Sequence, residues 1–300
     1  MEPSYPAVTC ENNTASAPQT SFLTSLDPSK EIHRILQTKT AIRMSTQDND
    51  YVFLLVPGSF ATAAAYTKLV EALRAQGENV EIIDLLSVND GSRQPPATMQ
   101  DDTAHIRQAV LSILDNSTAP KNVIVAPHSY SGIPTTCALE SLNKEARASA
   151  GKATAVTGII YLASFVLSEG ECLRGIMGEF DALQEPLKTG VPGGYLPPFT
   201  PELAQLVFND LNTEEALDFL GFMSLHASDS YNGEVSYVAW KDIPSVTLIP
   251  SIDIVVPTLM QEAMYERAVK AGGKIQRVLV EGAGHGLPPT GQNGELFTEI

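Results

Sequence analysis

The sequence predicts an α/β fold: a doubly wound, mostly parallel sheet with a helical cap inserted between two of its strands. Three observations predict it. Short continuous apolar runs, beginning with Tyr51-Val-Phe-Leu-Leu-Val56, are the pattern of strands buried on both faces of a sheet. Between them lie segments with apolar residues at helical spacing, an alternation that produces right-handed βαβ crossovers and a parallel sheet. The alternation then fails once, over about 75 residues between Phe165 and Ile243.

Residues 1 to about 24 are rich in Ser, Thr, Pro and Asn without periodicity and read as a loosely ordered tail. Asp27-Pro28, followed by Glu31, Ile32, Ile35 and Leu36, predicts a short capped helix with proline at its first position. The first strand, 51–56, leads through a turn at Gly58 into a helix whose Tyr66, Leu69, Val70 and Leu73 recur on one face, and Gly77 ends it. A strand over 80–84 follows, then a Pro-rich loop and a helix carrying Ile106, Val110, Ile113 and Leu114. Next come a strand over 123–126, a helix from Gly132 and a strand over 158–163. After the interruption the pattern resumes with a strand over 246–250, a helix from about Pro257 and a strand over 275–280. The predicted organisation is an N-terminal extension over 1–50, a core over 51–165 and 244–300, and a cap over 166–243.

The interrupting stretch has no apolar strand of the kind seen elsewhere. It predicts helices over 201–209 and 213–220, the second opened by Asn212 with Glu215 three residues on, a capping-box spacing. It is rich in large apolar groups, among them Met177, Phe180, Tyr195, Phe199, Phe208, Phe219, Phe222, Met223, Tyr231, Tyr237 and Trp240. These form a satellite core, a cap over the C-terminal edge of the sheet where open α/β sheets bind ligands, or both, residue by residue.

The chain has 300 residues, 43% hydrophobic and 18% charged, enough apolar material for a sizeable core and the wrong composition for disorder. Its 19 Lys and Arg against 35 Asp and Glu leave a net charge of −16. Such a surface repels phosphate backbones and anionic lipid, so neither nucleic acid nor membrane is the expected partner. No apolar run approaches the roughly 18 residues of a membrane span, and the N-terminus lacks the basic and apolar regions of a secretory signal. A cytoplasmic, reduced protein is therefore expected. Three widely separated cysteines, Cys10, Cys137 and Cys172, have no metal or redox spacing, and their odd number argues against a disulfide framework. No Asp, Glu and His cluster has metal-ligand spacing either, so no metal is expected. A small-molecule substrate is the expected partner, and a homo-oligomer is left open.

The chemistry is densest after the third apolar strand, in Pro127-His128-Ser129-Tyr130-Ser131-Gly132. A strand entering a helix through a sharp turn with serine at the apex is the setting of a nucleophile elbow, crowded enough to need small residues two before and two after. Ser129 has Pro127 and Ser131 there, whereas Ser131 would have the bulky Ile133, so Ser129 is the candidate nucleophile. A serine hydroxyl needs an imidazole to take its proton and a carboxylate to orient that imidazole. His285 lies in a glycine-rich loop after the last strand, and Asp253 lies in the loop after the preceding one. The order Ser129, Asp253, His285, each at a strand's C-terminal end, is that of a known hydrolytic triad.

Acyl transfer also needs amides aimed at the tetrahedral oxyanion. The expected donors are the Tyr130 amide and an amide of the loop after the first strand, from Ser59 or Phe60, which the Gly58 turn would present. Expected substrate contacts are Phe60, Phe180, Phe222, Tyr195 and Trp240. Among the other histidines, His128 is expected to pack structurally, His105 lies on a helix, His33 in the leader, and His226 in the cap touches substrate or solvent. Gly282-Ala-Gly284 is not a dinucleotide fingerprint, because it follows the last strand and opens no helix.

Val-Pro-Gly-Ser-Phe after the first strand, Pro-His-Ser-Tyr-Ser-Gly at the elbow, Asp253-Ile-Val-Val-Pro257 and Gly284-His285 together resemble the α/β-hydrolase superfamily over residues 51 to about 290. More narrowly, the chain is similar to fungal and bacterial single-domain members that are esterase-like. The resemblance implies an enzyme without a cofactor, and it carries nucleophile, acid and base onto Ser129, Asp253 and His285. Ser131 in place of the commoner glycine and Pro127 before the elbow are departures from the family pattern. The implied function is a serine hydrolase acting on an ester, thioester or lactone of a mainly apolar small molecule. The alternatives are a lyase, isomerase or cyclase of a biosynthetic pathway with His285 as plain acid or base, and a ligand-binding member without chemistry. Relatives that cleave cyanohydrins have lysine directly after the histidine, where this chain has Gly286.

Overall fold

A run such as Tyr51–Val56 can be apolar at every position only if both faces of its strand are covered, and both are. Val52, Leu54 and Val56 enter one hydrophobic core, and Phe53 and Leu55 enter another across the sheet. Each fully buried side chain of this size contributes about 1.5–3 kcal/mol, so a charge at Leu54 or Leu55 would be enough to unfold this strand.

The computed structural model describes residues 51–182 and 187–286. The strands are β1 (Tyr51–Val56), β2 (Val80–Ile82), β3 (Val88–Asn89), β4 (Asn122–Pro127), β5 (Val156–Leu162), β6 (Tyr195–Leu196), β7 (Leu225–Ala227), β8 (Ser245–Pro250) and β9 (Ile275–Val280). The helices are α1 (Thr67–Ala75), α2 (Met99–Leu114), α3 (Gly132–Ala138), α4 (Lys144–Ser149), α5 (Leu173–Glu179), α6 (Pro201–Val207), α7 (Thr213–Leu220) and α8 (Thr258–Lys270). The expected tail and the helix at Pro28, with His33, lie outside the described residues.

Six strands form one sheet in the order β2-β1-β4-β5-β8-β9, and every neighbouring pair in it is parallel. Helix α1 covers one face through Leu69, Val70 and Leu73. Helices α2, α3 and α8 cover the other through Ile106, Val110, Ile133, Met260 and Met264. From β1 the chain steps outward to β2 and then returns past β1 to β4, so the order reverses between β1 and β4. The carboxyl ends of those two strands are where a parallel sheet opens a crevice for a ligand.

The stretch between β5 and β8 contains α5, α6 and α7 and also two strands that the sequence did not suggest. β6 and β7 pair antiparallel with each other, and β7 pairs with β3, as a small three-stranded sheet. They escaped notice because two or three residues are too few to show a period. Asn212 and Glu215 do form a reciprocal capping box at the start of α7. Apolar groups of α6 and α7, including Ala204, Ala216 and Phe219, join the same core as α1. Cys137 is a buried free thiol.

Candidate active site

Ser129 stands two residues beyond the end of β4 with φ of 55°, in the left-handed region that a side chain occupies only under constraint. The constraints are visible. Ser164 Oγ and the Phe165 amide both donate to the Ser129 carbonyl, at 2.7 and 3.3 Å. A Cβ on Gly132 would lie 2.4 Å from the Phe165 carbonyl oxygen, so the crowded glycine of this elbow is one residue beyond the expected position. Ser131 itself is accommodated because its buried hydroxyl lies 2.8 Å from the carbonyls of Val56 and His128.

The structure brings Ser129, His285 and Asp253 into one hydrogen-bonded line. His285 Nε2 lies 3.1 Å from Ser129 Oγ, and His285 Nδ1 lies 2.9 Å from Asp253 Oδ2. A carboxylate only accepts, so Nδ1 carries the proton and Nε2 is left to receive one from the serine. Asp253 is 4% exposed and its charge is held by donors: the Val255 and Val256 amides on Oδ1, and Gln261 Nε2 on Oδ2.

A second line passes behind the first. The Gly58 amide donates to Tyr66 Oη (3.0 Å), which pairs with His128 Nδ1 (2.6 Å), and His128 Nε2 lies 3.1 Å from the His285 carbonyl. That carbonyl can only accept, so Nε2 of His128 is protonated, Nδ1 accepts, and the tyrosine hydroxyl donates to it. Burial holds His128 well below the ordinary histidine range, which keeps it in this neutral form. His128 therefore packs structurally, as expected, and ties three loops together. A Cβ on Gly58 would lie 2.9 Å from His128 Nδ1, so glycine is required there for close approach.

Ser59 and Phe60 follow Gly58 at the rim, with Phe60 at φ of 65°. The Phe60 carbonyl accepts from the Ser224 amide at 2.7 Å, which pins this loop to the stretch between β5 and β8. Tyr130 begins the turn after Ser129 and is fully buried, its hydroxyl donating to Asp102 at 3.1 Å.

A mainly apolar cavity opens at Ser129 and His285, walled by Phe60, Phe165, Met177, Phe208, Met223 and Tyr231 with their neighbours. Of the five substrate contacts expected from sequence, only Phe60 lines it. The other four are placed elsewhere, which corrects that expectation. Trp240 is a core residue, 1% exposed, with Nε1 donating to the Leu167 carbonyl. Tyr195 belongs to β6 and donates to the Arg93 carbonyl. Phe180 follows α5 and packs on the larger core, and Phe222 is 45% exposed. His226 is neither solvated nor at the cavity: it is buried, pairs with Ser230 and stacks on Tyr231, and burial pushes it down to about 3. His105 is half-buried on α2. Tyr66, Gln261 and Tyr231 went unnoticed as site residues, because a periodic tyrosine reads as core and a helical glutamine as surface.

Among the described residues no group of three His, Cys, Asp or Glu could hold a metal ion, and no helix is long and apolar enough to cross a membrane.

A parallel sheet with this crevice, serine turn and imidazole line is the architecture of an α/β-hydrolase. The Alpha/beta hydrolase family matches residues 53–299, and the chain belongs to it; it is an enzyme of that class. It is similar to "Probable hydrolase R7" of Phoma sp. (strain ATCC 20986 / MF5453), with 28% identity over 232 residues, 77% of this chain and 89% of that protein. It is also similar to "Alpha/beta hydrolase nvfD" of Aspergillus novofumigatus, 24% identical over 70% of this chain and 81% of that one. Among solved structures it resembles an extracellular alpha/beta-hydrolase from a Paenibacillus species, with a TM-score of 0.62, 14% identity and coverage of 83% and 96%. Tomato methylketone synthase I, solved with 2-tridecanone, has a TM-score of 0.61, 17% identity and coverage of 83% and 95%. At these identities the structural likeness is one of fold.

Proposed function

We propose that this enzyme is a serine hydrolase that cleaves an ester, thioester or lactone of a mainly apolar small molecule through an acyl-enzyme on Ser129. The observation that carries the reading is the spacing of 3.1 Å from Ser129 Oγ to His285 Nε2 and 2.9 Å from His285 Nδ1 to Asp253. In the proposed cycle Ser129 Oγ attacks the carbonyl carbon while His285 Nε2 takes its proton, and Asp253 stabilises the imidazolium. The carbonyl oxygen becomes an oxyanion received by the Tyr130 amide and the Ser59 or Phe60 amide. Collapse breaks the acyl–oxygen or acyl–sulfur bond, and His285 returns the proton to the leaving group. Water then adds to the acyl carbon as His285 takes its proton; the bond from that carbon to Ser129 Oγ breaks, His285 returns the proton to Oγ, and the acid leaves. Residues 166–243 serve as a cap, whose Met177, Phe208, Phe219 and Met223 face the apolar part of the substrate. The names of the two fungal relatives agree with a hydrolytic reading.

The test is turnover of p-nitrophenyl esters of increasing acyl length by the wild type and by Ser129→Ala. Loss of a nucleophile of this kind lowers kcat by about 10⁶-fold. Unchanged hydrolysis in Ser129→Ala would overturn the proposal.

A further inference from the structure

The turn that follows α6 touches both loops that carry the distal members of the hydrogen-bonded line. Asn209 Nδ2 donates to the carbonyl of Ile252, one residue before Asp253, at 2.8 Å. Asp210 Oδ2 accepts the amide of Gly284, one residue before His285, at 2.9 Å. The two loops are joined directly as well, through the Ile252 amide and the Ala283 carbonyl at 3.0 Å. The contact is close enough to exclude a side chain: a Cβ on Gly284 would lie 2.2 Å from Asn209 Oδ1 and 2.8 Å from Asp210 Oδ1. Phe208, the preceding residue, lines the cavity and packs on Phe219 with ring centroids 4.8 Å apart.

We infer that Asn209 and Asp210 are positioning residues, holding the Asp253 and His285 loops in register with Ser129 from outside the main sheet. The inference rests on the serine-hydrolase reading above. The polar ties that reach the line from the sheet side act on the Asp253 carboxylate, through Gln261 and two amides, and on the His285 carbonyl, through His128. The backbone immediately before each residue is held instead by this turn. A shift of the order of an ångström in either loop would spoil the proton path from Ser129 without altering the apolar walls that bind substrate. The arrangement of the stretch between β5 and β8 and the alignment of the triad are thereby one structural event.

The test compares Asp210→Ala, Asp210→Asn and Asn209→Ala with the wild type and Ser129→Ala. The readouts are kcat and KM on p-nitrophenyl butyrate, and the rate at which a fluorophosphonate phosphonylates Ser129 with loss of fluoride. The expected result for Asp210→Ala is a kcat lower by about 10- to 100-fold, the size of effect that misplacement alone produces, with KM nearly unchanged. Phosphonylation by the fluorophosphonate slows in parallel. Asp210→Asn, whose side-chain oxygen still accepts from Gly284, retains most of the activity. Should Asp210→Ala fail to fold, Asn209→Ala poses the same question at the Ile252 contact. Full kcat in Asp210→Ala beside an inactive Ser129→Ala, or Asp210→Asn as impaired as Asp210→Ala, would overturn the positioning role. Turnover that survives in Ser129→Ala would overturn the underlying reading, and this inference with it.

Discussion

Gln261 and His285 share one oxygen of Asp253: Oδ2 lies 3.0 Å from Gln261 Nε2 and 2.9 Å from His285 Nδ1. Gln261 is 2% exposed on α8, and the same amide nitrogen also donates to the Val256 carbonyl at 2.7 Å. It fixes the carboxylate to the helix that follows it and sets the direction of the oxygen facing the imidazole. A hydrogen bond to a charged group contributes about 1.5–3 kcal/mol. Gln261→Leu is therefore expected to lower kcat about tenfold or more, with the thermal midpoint recorded to verify folding. Gln261→Glu, which sets a like charge against Asp253, is expected to be worse. Wild-type kcat in both variants would contradict this role.

Tyr66→Phe removes the middle of the line from Gly58 to His128 and leaves a buried amide and a buried imidazole nitrogen unpaired. Each such group costs about 1–3 kcal/mol. Urea denaturation is expected to show a loss of that order. Binding of a trifluoromethyl ketone, which mimics the tetrahedral intermediate, is expected to weaken more than binding of an unreactive amide. Equal weakening of both ligands would locate the effect in the fold alone.

Asp102 supplies a pH signature. Burial raises it to about 6 against hydrogen bonds from Ser87 and Tyr130, while an unfolded carboxyl titrates near its ordinary 3.8. Between those values the folded chain holds a proton that the unfolded chain has lost. The resulting contribution to stability is complete below the unfolded value and disappears as pH rises through about 6. His226 and His128, buried neutral, push the other way over part of that range. The difference between wild type and Asp102→Asn isolates the carboxyl. Denaturant midpoints are expected to favour the wild type at pH 4 relative to pH 7, by on the order of 2–3 kcal/mol. A flat difference would contradict the shift.

None of the described residues that line the cavity is Lys, Arg, Asp or Glu. A carboxylate carried into that space would be desolvated with no partner, at a cost of several kcal/mol. The expected preference for a butyrate ester over the matching succinate monoester is therefore at least about a hundredfold in kcat/KM. Comparable values for the two would mean that a cation reaches the bound substrate.

The strands were the most legible part of the sequence. β1 and β9 run over the expected residues, β8 differs by one residue at its start, and β4 and β5 differ by one or two at both ends, because an apolar run between turns admits few other readings. α4 and α5 were missed: each is short, and α5 contains two glycines that mask its periodicity. The proximity of Ser129, Asp253 and His285 was readable from order and strand-end position, since a parallel sheet brings successive carboxyl ends to one edge. Trp240 and Phe219 look alike as apolar residues of one stretch. Only the packing separates the one that fills the core from the one that faces the cavity. Gln261, Asn209 and Asp210 are polar residues with ordinary neighbours in sequence, and what they hold is brought to them by the fold.

The most direct measurement is the intact mass of the protein after reaction with a fluorophosphonate, followed by location of the adduct. A single adduct on Ser129 is expected, lost in Ser129→Ala and strongly slowed in His285→Ala. An unlabelled but active enzyme, or an adduct that persists in Ser129→Ala, would contradict nucleophilic catalysis by this serine.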